Sequence, residues 1–195
     1  MININNYDKV EPILYGGDYE RLKLGYQECI IRNSYIQKTK SGRDALVLEL
    51  DINSGEQKDY YKKMYDNNTK TDKTWGCKYL QMYDEEKQIQ FFKGLMTSIE
   101  KSNYGYKFNG DEKSLIGKLV AGEFILEEYV GQDGATKTRT RFDRPRSIGE
   151  HKEVKPKVRL LNGKYVDYQD YENNKPTTNE TSQQVTEIDP ADLPF

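Results

Sequence analysis

The run Ala45-Leu46-Val47-Leu48-Glu49-Leu50-Asp51-Ile52 constrains this chain more than any other stretch, because alternation places Leu46, Leu48, Leu50 and Ile52 on one side of an extended backbone. A strand with one apolar face must be paired and covered, so its neighbours decide the fold. Residues 27–37 (QECIIRNSYIQ) are rich in β-branched and aromatic side chains, and Lys40-Ser41-Gly42-Arg43 supplies a turn between the two runs. Beyond the core run, Asn53-Ser54-Gly55 turns the chain into Lys58-Asp59-Tyr60-Tyr61-Lys62-Lys63-Met64-Tyr65, predicted as a third strand with tyrosine and lysine on both faces. Asp84 opens a helix that carries Ile89, Phe92, Met96 and Ile99 on one face and ends near residues 102–105. Residues 119–130 and 136–142 then form two more strands around a turn at Gly131-Gln132-Asp133-Gly134.

Three strands, a helix and two strands is the layout of an OB-fold. The expected class is therefore mainly β, a five-stranded OB-fold barrel with one helix between strands 3 and 4. About 130 residues in this arrangement bury enough surface to fold alone. The whole chain of 195 residues is 35% hydrophobic and 32% charged, too polar for all of it to enter a core. A compact body with a tail follows.

Several function classes fall away early. Nowhere do 18 uncharged apolar residues run together, and Met1-Ile2-Asn3-Ile4-Asn5-Asn6 lacks the layout of a secretory signal, so a soluble cytoplasmic protein without membrane contact is expected. Cys29 and Cys77 stand far apart with no CxxC or histidine neighbour, which argues for reduced core cysteines and against a zinc site. His151 is the only histidine, and GxSxG, HExxH and P-loop motifs are missing. No cofactor and no metal are expected.

Charge is segregated along the chain. Residues 167–195 hold seven acids against Lys175, a net of −6, which leaves +4 for the rest. From Thr136 to Arg159 nine bases face three acids, a local +6. The expected division is a domain at 1–150, a basic extension at 151–166 and a disordered acidic tail at 167–195, the tail having little that is apolar to bury. Its last residues, Ile188-Asp189-Pro190-Ala191-Asp192-Leu193-Pro194-Phe195, return to acid mixed with hydrophobe, the composition of a docking peptide on a tether.

Two stretches carry the chemistry of polyanion binding. Lys137, Arg139 and Arg141 alternate with Thr136, Thr138 and Thr140, so the three cations project from one strand face, and Arg144 and Arg146 continue the row. A row of like charges is either a solvated face or a ridge that follows phosphates. Tyr60, Tyr61 and Tyr65 are interleaved with Lys58, Lys62 and Lys63, the pairing of rings with cations that single-stranded nucleic acid binding uses. The alternative is rings that cap the core beside snorkelling lysines. Trp75 is likewise a stacking platform or a packed indole.

The terminal Glu187-Ile188-Asp189-Pro190-Ala191-Asp192-Leu193-Pro194-Phe195 resembles the acidic tip of bacterial single-stranded DNA-binding proteins. The resemblance covers nine residues closely and implies that Asp189, Asp192, Leu193, Pro194 and Phe195 dock on replication or recombination proteins. The body differs from that family. Its Tyr15-Gly16-Gly17-Asp18-Tyr19-Glu20, Ser102-Asn103-Tyr104-Gly105-Tyr106, Gly117-Lys118 and Glu127-Glu128-Tyr129 segments make most of residues 10–150 similar to proteins of phages and mobile elements in Gram-positive bacteria, taken for divergent OB-fold single-stranded DNA-binding proteins. No site residue comes with that similarity, and homo-oligomerisation is left open.

The resulting expectation is a non-enzymatic single-stranded DNA-binding protein. Lys62, Lys63, Lys137, Arg139, Arg141 and Arg144 would meet phosphates, Tyr60, Tyr61, Tyr65 and Trp75 would stack on bases, and the tip would recruit a partner. One rival is an OB-fold interaction protein that binds no DNA and engages a host factor. Another is a nuclease built on Glu123, Glu127, Glu128 and Asp133, although alternation sends Glu128 to the opposite face from Glu123 and Glu127.

Overall fold

The computed structural model describes residues 20–150 and 153–174. Strands β1 (Gly25–Lys38) and β2 (Asp44–Ile52) form an antiparallel hairpin in which Ser34 faces Leu48 and Ile36 faces Leu46. The leucines of the core run are fully buried with Ile52, Cys29 and Ile31, as the alternation required. The register shifts between Ile31 and Asn33. Arg32, at that bulge, reaches Asp51 and Asp59.

The segment expected to be the third strand is a helix. Residues Tyr60–Asn67 form α1, and its start is held from outside by a buried carboxylate: Asp51 Oδ1 accepts the Tyr61 amide at 3.0 Å and the Ile52 amide at 2.9 Å. Asp59 enters the helix in the left-handed region at φ 60°, beside Arg32. Helical spacing then gathers Tyr61, Tyr60, Met64 and Tyr65 inward and leaves Lys62 and Lys63 outside. Burial of the Tyr61 ring against Phe124, with centroids 6.4 Å apart, rewards the helical period over the alternating one.

The third strand lies farther along. β3 (Lys78–Met82) pairs with β2, Leu48 facing Tyr79. Helix α2 (Glu86–Ser102) follows and inserts Leu95, Met96 and Ile99 into the core with Phe92 partly covered. Ile89, expected on that face, lies in the first turn and is half exposed. Asn103 ties the helix end to the next strand, donating to Ile99 and Leu119 carbonyls and accepting from the Leu119 amide. After a 3₁₀ turn at Glu112–Leu115 come β4 (Leu119–Val130) and β5 (Thr136–Arg146), joined by the expected turn, where Gly134 has φ 76°.

β4 is long enough to serve three partners. Its first half pairs with β1 on one edge, and β5 occupies the other edge from Ala121 to Val130. β1 begins at Gly25, opposite Phe124, so the edge beyond it is taken by β6 (Lys157–Arg159), parallel to β4 at Leu126 and Glu127. Gly25 has φ 96°, and a Cβ there would lie 3.1 Å from the Val154 carbonyl, so its lack of a side chain lets the incoming chain pass. β7 (Tyr165–Asp167) pairs antiparallel with β6 and leads into α3 (Tyr168–Asn173).

Among the described residues the result is a strand-rich mixed α/β structure: an open sheet of seven strands in the order β3-β2-β1-β4-β6-β7, with β5 on β4 and three α-helices. The expected closed barrel does not form among the described residues. Edge strands β3 and β5 share no hydrogen-bonded ladder, yet Tyr79 and Phe142 bring their rings to 5.4 Å. Phe142 in turn meets Phe124 at 5.4 Å, so one chain of rings runs from β3 through β5 and β4 to Tyr61. Gly122 makes this possible, since a Cβ there would overlap the Phe142 ring.

The expected boundary at residue 167 also moves. Residues 157–173 hold two strands and a helix, and Asp167 and Tyr171, read as tail, have partners. The Asp167 side chain caps α3 by accepting the Gln169 amide at 2.8 Å, and the Tyr171 hydroxyl donates to Glu128 at 2.9 Å. The remainder of the expected tail, residues 175–195 with the docking tip Asp189, Asp192, Leu193, Pro194 and Phe195, lies outside the described residues.

Candidate nucleic-acid interface

β5 presents its cations as the Thr-Lys and Thr-Arg alternation demanded. The hairpin register sets Lys137 opposite Tyr129, Arg139 opposite Glu127 and Arg141 opposite Ile125. Strict alternation would then turn Asp143 to this face and Arg144 away. A bulge at Asp143, between the Phe142–Phe124 and Arg144–Glu123 pairs, shifts the phase and returns Arg144 and Arg146 to the side of Lys137, Arg139 and Arg141. Lys157 and Arg159 join them from β6.

This face is not bare. Glu127, almost fully buried, accepts from Arg139 Nη2 at 2.8 Å and from Arg159 at 2.6 Å, and Arg141 closes on the same carboxylate. Burial pushes the Glu127 carboxyl up, but Arg139 and Arg141 outweigh it and hold the group below its ordinary range. Glu123, also buried, takes Arg146 through Nε at 2.8 Å, with Lys157 at 3.9 Å. Lys137 pairs with Asp133 at 3.2 Å, and Arg144 lies 3.4 Å from Asp143. Seven bases therefore stand over Glu123, Glu127, Asp133 and Asp143, and the face keeps an excess of three positive charges.

No protein-family model matches the chain, and no curated protein matches it.

The structure separates the residues the sequence grouped. Lys137, Arg139, Arg141 and Arg144 come together as one ridge. Tyr60, Tyr61, Lys62, Lys63 and Tyr65 do not form a stacking strip, since α1 turns its rings inward. Tyr61 is 5% exposed, and burial holds its phenol well above the usual value. Lys62 pairs with Asp66 one turn away. Trp75 is the packed indole of the two alternatives: its Nε1 donates to the Leu50 carbonyl at 2.6 Å, and Tyr65 tilts against it at 5.5 Å.

Rings do accompany the ridge, but different ones. The Arg139 guanidinium lies 5.4 Å from the centre of the Tyr129 ring, and Arg144 lies 5.5 Å from that of Tyr165. The hairpin could have exposed the first pair, because counting outward from the strand ends Val130 and Thr136 sets Tyr129 and Glu127 against Lys137 and Arg139. Tyr165 had no such signal, since it arrives from β7. The four carboxylates of the nuclease rival are also dispersed. Glu123 and Glu127 hold arginines, Asp133 holds Lys137, and Glu128 accepts from Tyr171 and from the Leu161 amide.

On the same side of the sheet, the β1–β2–β3 portion has another character. Glu49 is its centre, contacted by Asn33 at 3.2 Å, Tyr35 at 3.4 Å and Lys78 at 3.7 Å. None of the helices among the described residues is long and apolar enough to cross a membrane.

Proposed function

We propose that the chain is a non-enzymatic single-stranded DNA-binding protein that acts in the cytoplasm of a bacterial host, with a phage or mobile element as its source. The observation that carries the reading is the ridge of Lys137, Arg139, Arg141, Arg144 and Arg146 on β5, extended by Lys157 and Arg159, whose charge exceeds that of the acids beneath it. Two tyrosine rings lie under its arginines, the combination that tracks a backbone and stacks on bases without strong sequence preference. The path β3-β2-β1-β4-β5 with α2 between β3 and β4 is the strand order of an OB-fold, which supports that architecture as the origin of this sheet. Partner recruitment through Asp189, Asp192, Leu193, Pro194 and Phe195 belongs to the same proposal and rests on the tip resemblance alone.

Titration of a fluorescent oligo-dT at rising salt tests the reading. Three to five phosphate contacts give a log–log slope of about −2 to −3.5, at roughly −0.7 per neutralised phosphate. Absence of binding at low ionic strength, in the full chain and in a chain ending at Asn174, would refute it. That outcome favours the interaction-protein reading, for which the pairing of Arg139, Arg141 and Arg159 with Glu127 is a device of stability only.

A further inference from the structure

The last two strands hold a feature that single-strand binding by β5 does not require. Across β5-β4-β6-β7 a flat sheet would separate the outer strands by roughly 14 Å, three spacings of about 4.8 Å. An aspartate and a tyrosine cannot meet over that gap. Yet the Tyr165 hydroxyl on β7 donates to both oxygens of Asp143 on β5, at 3.1 and 3.3 Å. The four strands must therefore curl, and the concave side is the one where Arg139 and Arg141 from β5 and Arg159 from β6 converge on Glu127. Tyr165 sits opposite Arg159 in the β6–β7 register and closes the concavity.

Three guanidinium groups on one carboxylate leave two positive charges over at the floor of this concavity. Arg141 and Arg159 keep 41% and 37% of their side chains exposed, so that charge is accessible. At the rim, Tyr165 remains 41% exposed while its hydroxyl is pinned, and Arg144 stands beside the ring with half its side chain in solvent. Burial and Asp143 push the Tyr165 phenol up, and Arg159 and Arg141 pull against them, which places both arginines within electrostatic reach of the ring.

We infer that Tyr165, Arg141, Arg144 and Arg159 form a subsite for one nucleotide unit of a single strand, the base stacking on Tyr165 and its phosphate meeting the three guanidinium groups. The inference rests on the single-strand reading and deepens it: the β6–β7 hairpin supplies the ring that α1 does not. Pinning of the hydroxyl fixes the ring before the base arrives, so little side-chain freedom is lost on stacking.

The test compares two strands of equal length, oligo-dT and an abasic deoxyribose-phosphate chain, on the full-length protein. With dT, Tyr165→Ala weakens binding by roughly tenfold, within the ~5- to 150-fold that 1–3 kcal/mol per stacked base implies. On the abasic strand the variant and the native chain bind alike. Tyr165→Leu, which keeps apolar cover without a ring, gives the same pattern should the alanine variant fold poorly, and Tyr165→Phe, which keeps the ring and loses only the pin, falls a few-fold at most on dT, less than the alanine variant. Equal loss on both strands, or no loss on dT, overturns the subsite while leaving the single-strand reading intact. A native chain that ignores dT altogether overturns both.

Discussion

Helix α1 and strand β5 carry the same ingredients, cations set at close intervals among residues that could face either way, and they use them oppositely. In α1 the rings turn inward onto Phe124 and Trp75, and the lysines are left in solvent with Asp66 as a helical neighbour. In β5 the cations lie above buried glutamates and keep a surplus of charge. Interleaved threonines, stiff at χ1, hold β5 extended, whereas tyrosine, lysine and methionine leave α1 able to take either period. The difference teaches that alternation identifies a strand only when the residues between the cations themselves favour one, and that an aromatic-lysine strip becomes a site only if its rings are not needed by the core.

The buried carboxylates sharpen the same contrast. Asp51 holds α1 through backbone amides, and its burial outweighs those bonds and Arg32, so its carboxyl sits above the ordinary value of 3.8. Glu127 holds β5 through guanidinium groups and sits below the ordinary 4.5. The two must respond to acid with opposite signs.

Five experiments would break or sharpen the comparison. The largest effect is expected for Tyr61→Ala, which should destabilise the fold by about 3–5 kcal/mol in urea unfolding, as for other buried aromatics. A loss under about 1 kcal/mol would return this ring to the surface and reopen the stacking strip. Glu127→Gln comes next. It should lower stability by about 2 kcal/mol at neutral pH, less than a fully buried pair because its arginines are partly exposed, while oligo-dT affinity holds or rises as negative charge is removed.

The stability gap between the native chain and Glu127→Gln should narrow as pH falls below 4.5, since a lowered folded-state value contributes above the unfolded value and loses that contribution as the carboxylate is protonated. For Asp51→Asn the trend should reverse, the native chain gaining on the variant with acid, because its raised value makes ionisation costly in the folded state. Parallel trends in the two variants would show that their surroundings do not differ as described.

Arg141→Gln and Arg144→Gln are each expected to reduce the magnitude of the salt slope of oligo-dT binding by about 0.7, one phosphate contact apiece. The smallest effect belongs to Lys62→Gln and Lys63→Gln, which should leave the slope unchanged and affinity within about twofold, because these lysines flank no ridge. A larger loss from the lysines than from the arginines would move the DNA path to α1.

Much of the framework was legible beforehand. β1, β2, β4, β5 and α2 lie within a few residues of their expected positions, because each carries its own apolar period or turn chemistry. β3 is not legible in the sequence, since Lys78-Tyr79-Leu80-Gln81-Met82 is short and its alternation is weak without the partner face of β2. At the site, the row of cations was visible and its neutralisation was not. Glu127 is one of five acids on the hairpin, and only its register against Arg139 and the arrival of Arg159 mark it as the counter-charge of those two arginines.

By itself, the order of residues determined which segments alternate, where the glycine turns fall and that positive charge collects between residues 136 and 159, because these are properties of neighbours along the chain. The tertiary structure alone decided that residues 60–67 are helical, that residues 157–173 complete the sheet and that Tyr165 meets Asp143. Each of those outcomes depends on a partner that is distant in sequence: Asp51 for α1, Glu128 for α3, Asp143 for the curl of β7. The energy of such contacts appears only when the sheet has brought the partners together, and no local pattern records it.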